Sequence, residues 1–214
     1  MEEFLPQRRQ LIAACLELAA QGYLAGTGGN LALRLDAQHI AVTPSAADYY
    51  SLEPADIAVL NLATLEQVAG HLPPSVETGL HATMLRAAPQ LNASVHTHQP
   101  LASAVSLIGR PLPLRAAADI AALGPELAVI GYAPSGTRLL VRALRRQLRP
   151  QLHAYLLRNH GVICRAATLS AAVHLLGRIE LAAGAFLRER ARVLLAREHP
   201  LRALALAALP ESVP

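Results

Sequence analysis

Leu11, Ile12, Cys15, Leu16 and Leu18 recur at the interval that sets side chains on one helix face, which predicts a helix from about Gln7 to Ala20. Gly22 follows as a stop. The pattern then shortens. Leu31–Leu35 and His39–Val42 alternate around the polar turn Asp36-Ala37-Gln38 and predict a hairpin, with Thr43-Pro44-Ser45 ending its second strand. Ile57–Leu62 predicts another strand. Past Pro73-Pro74, Val76–Ala88 returns to helical spacing and halts at Pro89.

Ser94–Thr97 reads as a strand closed by Gln99-Pro100, and Leu101–Leu107 as a helix of small residues. Leu127–Tyr132 predicts a strand, Thr137–Leu148 a helix, and Ala154–Arg158 a further strand. A long helix is expected from about Leu169 to Arg197, followed after Pro200 by an Ala/Leu-rich tail without a readable end. No linker, repeat or low-complexity break interrupts the 214 residues, so the expectation is one mixed α/β domain.

Composition narrows the function. Hydrophobic residues make up 53% of the chain, but they are spread as Ala and Leu through periodic segments. No uninterrupted apolar run reaches the roughly 18 residues a bilayer requires. The start, MEEFLPQRRQ, lacks the apolar stretch of a signal peptide. Cys15 and Cys164 form no disulfide framework, so reduced thiols in a cytoplasmic protein are expected, away from membranes. The formal charge is +4, yet arginines thicken only in Arg138–Arg149 and Arg188–Arg202, interleaved with Leu and Ala at helical spacing. Solvated helix faces explain them, and scarce aromatics offer no platform for stacking bases, so nucleic acid is not an expected partner. All 19 Lys+Arg residues are arginine. Without lysine, Schiff-base lyase chemistry and a Walker A phosphate loop are both excluded. A chain of this kind that breaks carbon–carbon bonds must stabilise the carbanion another way, most simply with a metal.

Val95-His96-Thr97-His98 is the strongest local signal. Strand residues two apart face the same side, so both imidazoles can reach one ion. A chance pair is the competing reading in a chain with nine histidines. His160, in Arg158-Asn159-His160-Gly161 directly after an apolar strand, is the best third ligand; as a loop histidine bonded to backbone it would be unremarked. Glu77 opens a helix, where the dipole favours a carboxylate, and on composition that role suffices. His81 lies one helical turn beyond it, where a supporting role beside a site is open. Gly26-Thr27-Gly28-Gly29-Asn30 offers backbone amides to an anion but lacks the order of a dinucleotide-binding fingerprint. His39, His71, His153, His174 and His199 read as ordinary surface or packing residues.

In order, GTGGN (Gly26–Asn30), TPS (Thr43–Ser45), PSVE (Pro74–Glu77) with His81, VHTH (Val95–His98), NHG (Asn159–Gly161) and the helix Thr168–Glu180 resemble the class II aldolase/adducin family. The resemblance covers about residues 8–190. It implies a central, mainly antiparallel sheet flanked by helices in three layers, of the α+β type, assembled as a C4 homotetramer. It implies zinc held by His96, His98 and His160, with Glu77 as catalytic acid/base. Gly28, Asn30, Ser45 and Ser75 fall on the positions that hold the substrate's phosphate. The implied activity is a zinc lyase acting on a ketose, ketose phosphate or related hydroxy-keto compound through a metal-stabilised enediolate. Epimerase, dehydratase or decarboxylase chemistry on the same scaffold is the alternative, and a non-catalytic adducin-like module a further one.

Two positions depart from the family pattern. Ala46 stands where members usually have glycine, and Val76 where they usually have serine. Each weakens the phosphate site, a lost charge-assisted hydrogen bond being worth about 1.5–3 kcal/mol. The expectation is therefore a substrate that lacks a phosphate or carries its anion elsewhere. The tyrosines that assist proton transfer in sugar-phosphate members also lack counterparts in Leu114–Ala122 and after Pro200, which leaves the leaving-group acid unassigned.

Overall fold

The structure is a computed structural model and describes residues 4–24 and 28–196. Helix α1 (Leu5–Ala20) begins with Pro6 in its first turn, where the missing N–H costs nothing, and ends before Gly22 at φ 73°. Of the face read from the sequence, Leu11, Cys15 and Leu18 are buried, joined by Arg8 and Ala14, while Ile12 is half-buried and Leu16 exposed. Strands β1 (Asn30–Arg34) and β2 (His39–Val42) make the expected hairpin, and Asp36 ties its turn by accepting from the amides of Gln38 and His39. β3 (Ala58–Asn61) and β4 (Gln67–Ala69) follow, then α2 (Thr78–Arg86), β5 (Ala93–Thr97) and α3 (Pro100–Ile108). The rest of the order is β6 (Leu112–Pro113), α4 (Ala117–Leu123), β7 (Glu126–Ile130), α5 (Arg138–Gln147), β8 (Ala154–Leu157), β9 (Gly161–Ala166) and α6 (Leu169–Ala196). Thr137 caps α5 by accepting from the Leu140 amide.

The strands form one sheet in the order β4-β3-β2-β1-β5-β9-β8-β7-β6. All neighbours are antiparallel except β7 and β8, whose parallel pairing follows from the crossover through α5. Side-chain alternation divides the core in two. Leu31, Leu33, Val95, Leu156, Val162 and Cys164 face a layer built from α1, α3 and α6. Ala32, Tyr155, Leu157 and Ile163 face the opposite layer, where Leu80, Met84 and Leu85 of α2 and Leu140 and Leu144 of α5 pack. The architecture is the helix–sheet–helix arrangement expected.

By length and composition alone α6 could cross a membrane over Leu169–Val193. Here Ala172, Val173, Leu176, Ile179 and Ala183 are buried against the sheet instead. From α6, Glu180 accepts the amides of Leu101 and Ala102 at 2.7 and 3.0 Å, satisfying the free N–H groups that open α3.

β4, β6, α4, a 3₁₀ turn at Pro54–Asp56 and one central strand go beyond the sequence reading. β4, β6 and α4 carry too few residues to show a period. β9 is different, since it pairs with β5 on one side and β8 on the other. It opens on a glycine and holds Arg165, only 1% exposed, whose guanidinium donates to the carbonyls of Met84, Arg149 and Leu152. A charged residue inside this short run thus sits in a fully buried strand. Arg197, His199 and the tail after Pro200 lie outside the described residues, as do Gly26 and Thr27.

Candidate active site

His96 is on β5 and His98 just past its end, both on the face turned toward α2 and α5. β8 and β9 form a tight hairpin, Leu157 opposite Gly161, that swings His160 to the same point. Asn159 takes φ 57° in its turn, a left-handed conformation that asparagine tolerates better than most residues. The His96 Nε2 atom lies 2.9 Å from His98 Nε2 and 3.2 Å from His160 Nε2. Among the described residues these three offer ligand atoms that all lie within 4.8 Å of one another.

The chemistry of this donor set fits a divalent cation. His96 Nδ1 lies 2.8 Å from the Val162 carbonyl, an acceptor, so its proton sits on Nδ1 and Nε2 presents a bare lone pair. Bare nitrogens at that spacing repel unless a proton or cation lies among them. Burial lowers the pKa of His96 and His98, keeping both rings neutral and able to ligate. Gly161 closes the arrangement. A Cβ there would collide with the Thr97 carbonyl and stand 2.8 Å from His98 Cδ2 and 3.3 Å from His96 Cε1.

Glu77 faces this cluster, with Oε2 at 3.3 Å from His96 Nε2 and Oε1 at 3.4 Å from His160 Nε2. It is the N-cap residue of α2, yet its side chain makes no capping bond. The carboxylate is turned into the site, where Asn30 Nδ2 donates to Oε2 at 2.9 Å and Ser135 Oγ to Oε1 at 2.8 Å. Burial alone would raise its pKa; a proton or cation among the facing His96 and His160 rings, with the hydrogen bonds donated by Asn30 and Ser135, favours the ionised form. Ser135 lies in the loop after β7, where no spacing in the sequence marks it.

The two serine segments are joined by the Pro44–Pro74 bridge. Ser45 donates its amide to the Pro73 carbonyl and Ser75 its amide to that of Thr43, each at 3.0 Å. Together with Gly28, Glu77, His98 and His160 they line a cavity of about 220 Å³. Asn30 borders it too, but its amide is engaged by Glu77 and His81. A larger groove of about 560 Å³ runs between α4 and α6, lined by Arg115, Arg178 and Phe186 without a histidine.

Ala46 takes φ 52° beside this cavity, the backbone of the glycine it replaces. The left-handed conformation costs alanine about 1–2 kcal/mol. Glycine's added freedom in the unfolded chain offsets about 0.4–1 kcal/mol of that. Ala46→Gly is therefore expected to stabilise the chain by up to about 1 kcal/mol, read from urea unfolding midpoints. A destabilised variant would mean that the alanine is unstrained.

His81 is fully buried and its pKa falls to about 4. Burial drives the change, opposed only by the Glu77 charge. The unfolded chain binds the proton more tightly, so stability is full above pH 6.5 and drains away toward pH 4. The gap is worth about 3 kcal/mol. Metal-free wild-type chain should lose that much more between pH 7 and pH 4 than His81→Gln does. Parallel pH curves for the two would remove His81 from acid sensitivity.

Residues 9–187 match the sequence family Class II Aldolase and Adducin N-terminal domain, and the chain belongs to that family. It is 33% identical over 178 residues to the 5-deoxy-D-ribulose 1-phosphate aldolase of Bacillus thuringiensis, covering 83% of this chain and 82% of that one. It is 32% identical over 169 residues to a methylthioribulose-1-phosphate dehydratase of Serratia proteamaculans, covering 74% and 82%. A solved L-fuculose 1-phosphate aldolase superposes with a TM-score of 0.78 at 27% identity, covering 86% of this chain and 85% of that one. The chain is an enzyme of the class II aldolase superfamily.

Proposed function

We propose that the chain is a zinc-dependent lyase that breaks a carbon–carbon bond in a ketose 1-phosphate, with His96, His98 and His160 as ligands and Glu77 as acid/base. The convergence of three imidazole nitrogens opposite a buried carboxylate carries this reading. Neutral nitrogen ligands suit zinc and leave it nearly its full charge. A cation so held polarises the substrate's carbonyl and stabilises the negative charge that develops beside it.

Glu77 moves the proton. In condensation its carboxylate removes a proton from the carbon next to the carbonyl; in cleavage the β-hydroxyl gives up its proton to solvent as it becomes the aldehyde, and Glu77, protonated in turn from solvent, delivers a proton to that carbon. Asn30 and Ser135 hold its two oxygens, so little reorganisation accompanies the transfer. Gly28, Asn30, Ser45 and Ser75 surround the place we assign to the phosphate. A substrate with its phosphate held here is favoured over the one expected from Ala46 and Val76, which lacks a phosphate or carries its anion elsewhere. Ala46 keeps the glycine-like turn, Val76 lies exposed on the cavity's lining, and the relatives above are all named for phosphate esters. From its two free, buried cysteines we take the enzyme to be cytoplasmic, and from the family resemblance a C4 homotetramer, whose mass sedimentation can test.

Dehydration is the second reading, favoured by the likeness to the Serratia proteamaculans enzyme. It needs the same first act, removal of a proton beside a carbonyl, followed by loss of a hydroxyl. Zinc-loaded chain assayed with 5-deoxyribulose, fuculose and methylthioribulose 1-phosphates separates the two. Release of an aldehyde with a triose phosphate supports the lyase. Loss of water with the carbon chain intact moves the assignment to dehydratase. No turnover of any phosphorylated or unphosphorylated ketose by metal-loaded chain would overturn both.

A further inference from the structure

From Glu77 a buried polar chain runs through Asn30 to His81 and Ser94. Asn30 Oδ1 is 2.7 Å from His81 Nε2, and His81 Nδ1 is 2.8 Å from Ser94 Oγ. His81, Ser94 and Asn30 are all buried, two of them with no exposed surface at all. Three separate elements supply them: Asn30 opens β1, His81 sits on α2, and Ser94 lies on β5 two residues before His96, facing the same side.

The charge at one end sets the direction of every hydrogen bond in the chain. An ionised carboxylate only accepts, so Asn30 must turn its NH₂ toward Glu77. Its carbonyl oxygen then faces His81, which must carry a proton on Nε2. That leaves Nδ1 of a neutral ring as an acceptor, filled by the Ser94 hydroxyl. Were His81 in the other tautomer, Asn30 would face a bare nitrogen with its oxygen, or flip and turn that oxygen on the carboxylate. Both are repulsive, and in a buried site both are costly.

We propose that His81 is a positioning residue for catalysis: through the locked amide of Asn30 it fixes the orientation of the Glu77 carboxylate. The proposal rests on Glu77 being the acid/base. His81 touches neither the cavity's metal ligands nor the substrate position, so its effect should fall on kcat and leave zinc content and KM nearly unchanged. Outer-shell partners of this kind are worth about 10–100-fold in activity.

The test joins a spectroscopic and a kinetic measurement. In chain labelled with ¹⁵N-histidine, the His81 resonances, assigned by their loss in His81→Gln, should show the proton on Nε2 near neutral pH, with or without zinc. Kinetically, His81→Leu should lower kcat about 10–100-fold with KM within about twofold and one zinc retained. His81→Gln can donate to Asn30 and accept from Ser94, so it should recover most of the lost kcat. A proton on Nδ1 in the wild-type chain overturns the proposal, as does His81→Leu with wild-type kcat. If the Leu variant does not fold, the tautomer and the Gln variant decide: a Gln variant as impaired as one lacking Glu77 counts against positioning. An inactive wild-type chain, by contrast, defeats the lyase reading and shows itself before any variant is made.

Discussion

Glu77→Gln is expected to lower kcat by about 10²–10⁴-fold while the chain keeps its fold and its metal. The substitution conserves shape and removes only the ability to take up and return a proton. The hydrogen bonds around the position allow it. Asn30 presents its NH₂ and is held that way by His81, so the glutamine must set its oxygen toward Asn30. The glutamine NH₂ then faces Ser135, whose hydroxyl can rotate from donor to acceptor. No buried group loses its partner, and stability should shift by no more than about 1 kcal/mol. Zinc content, urea midpoint and kcat measured together check this. A Gln variant with wild-type turnover would take Glu77 out of proton transfer, and one that lost its zinc would make the carboxylate a metal ligand first.

The histidine cluster was half legible before the structure. The two-residue spacing of His96 and His98 is a strand property and needs no knowledge of the fold. His160 is 64 residues from His96, and what joins them is the β5–β9 pairing with the β8–β9 hairpin. β9 was the strand not predicted, so the sequence offered His160 as a candidate third ligand only by its place after an apolar strand, with the loop-histidine reading still open, and the family resemblance added it to the set. The reason is physical: Arg165 neutralises the usual signal by donating to backbone carbonyls instead of to water or a carboxylate.

The same limit applies around Glu77. As the N-cap residue of α2 it fits the helix-start role that its composition suggested, and only the coordinates show the side chain turned away from the helix. His81 shares that helix, yet the two communicate through Asn30, 51 residues before His81. Ser94 could have been suspected, since strand alternation puts it on the face of His96. Ser135 could not, because a serine between Pro134 and Gly136 in a loop reads only as a turn.

Gly161→Ala is expected to be the single-methyl change that most damages the histidine cluster. Gly29, Gly70 and Gly124 also meet backbone closely and take positive φ, but among the described glycines only Gly161 would press a Cβ on the rings of two of the clustered histidines. The new Cβ would press on the Thr97 carbonyl, which is backbone and cannot rotate away, and on the rings of His98 and His96. Relief requires β9 to move off β5 at the Thr97–Val162 pair, where the site begins. That motion carries His160 away from its partners and draws the Val162 carbonyl from His96 Nδ1, freeing the ring whose tautomer it fixes. Overpacking of this kind costs about 1–3 kcal/mol in stability. The metal site should suffer more than the fold, because it loses a ligand position and an outer-shell anchor together. Zinc affinity should fall at least about 100-fold, with activity following it. Competition with a chelator gives the affinity and urea unfolding of the metal-free chain gives the stability. A variant that bound zinc normally would show that β9 yields without disturbing the histidines, and the steric reason for glycine after His160 would be lost.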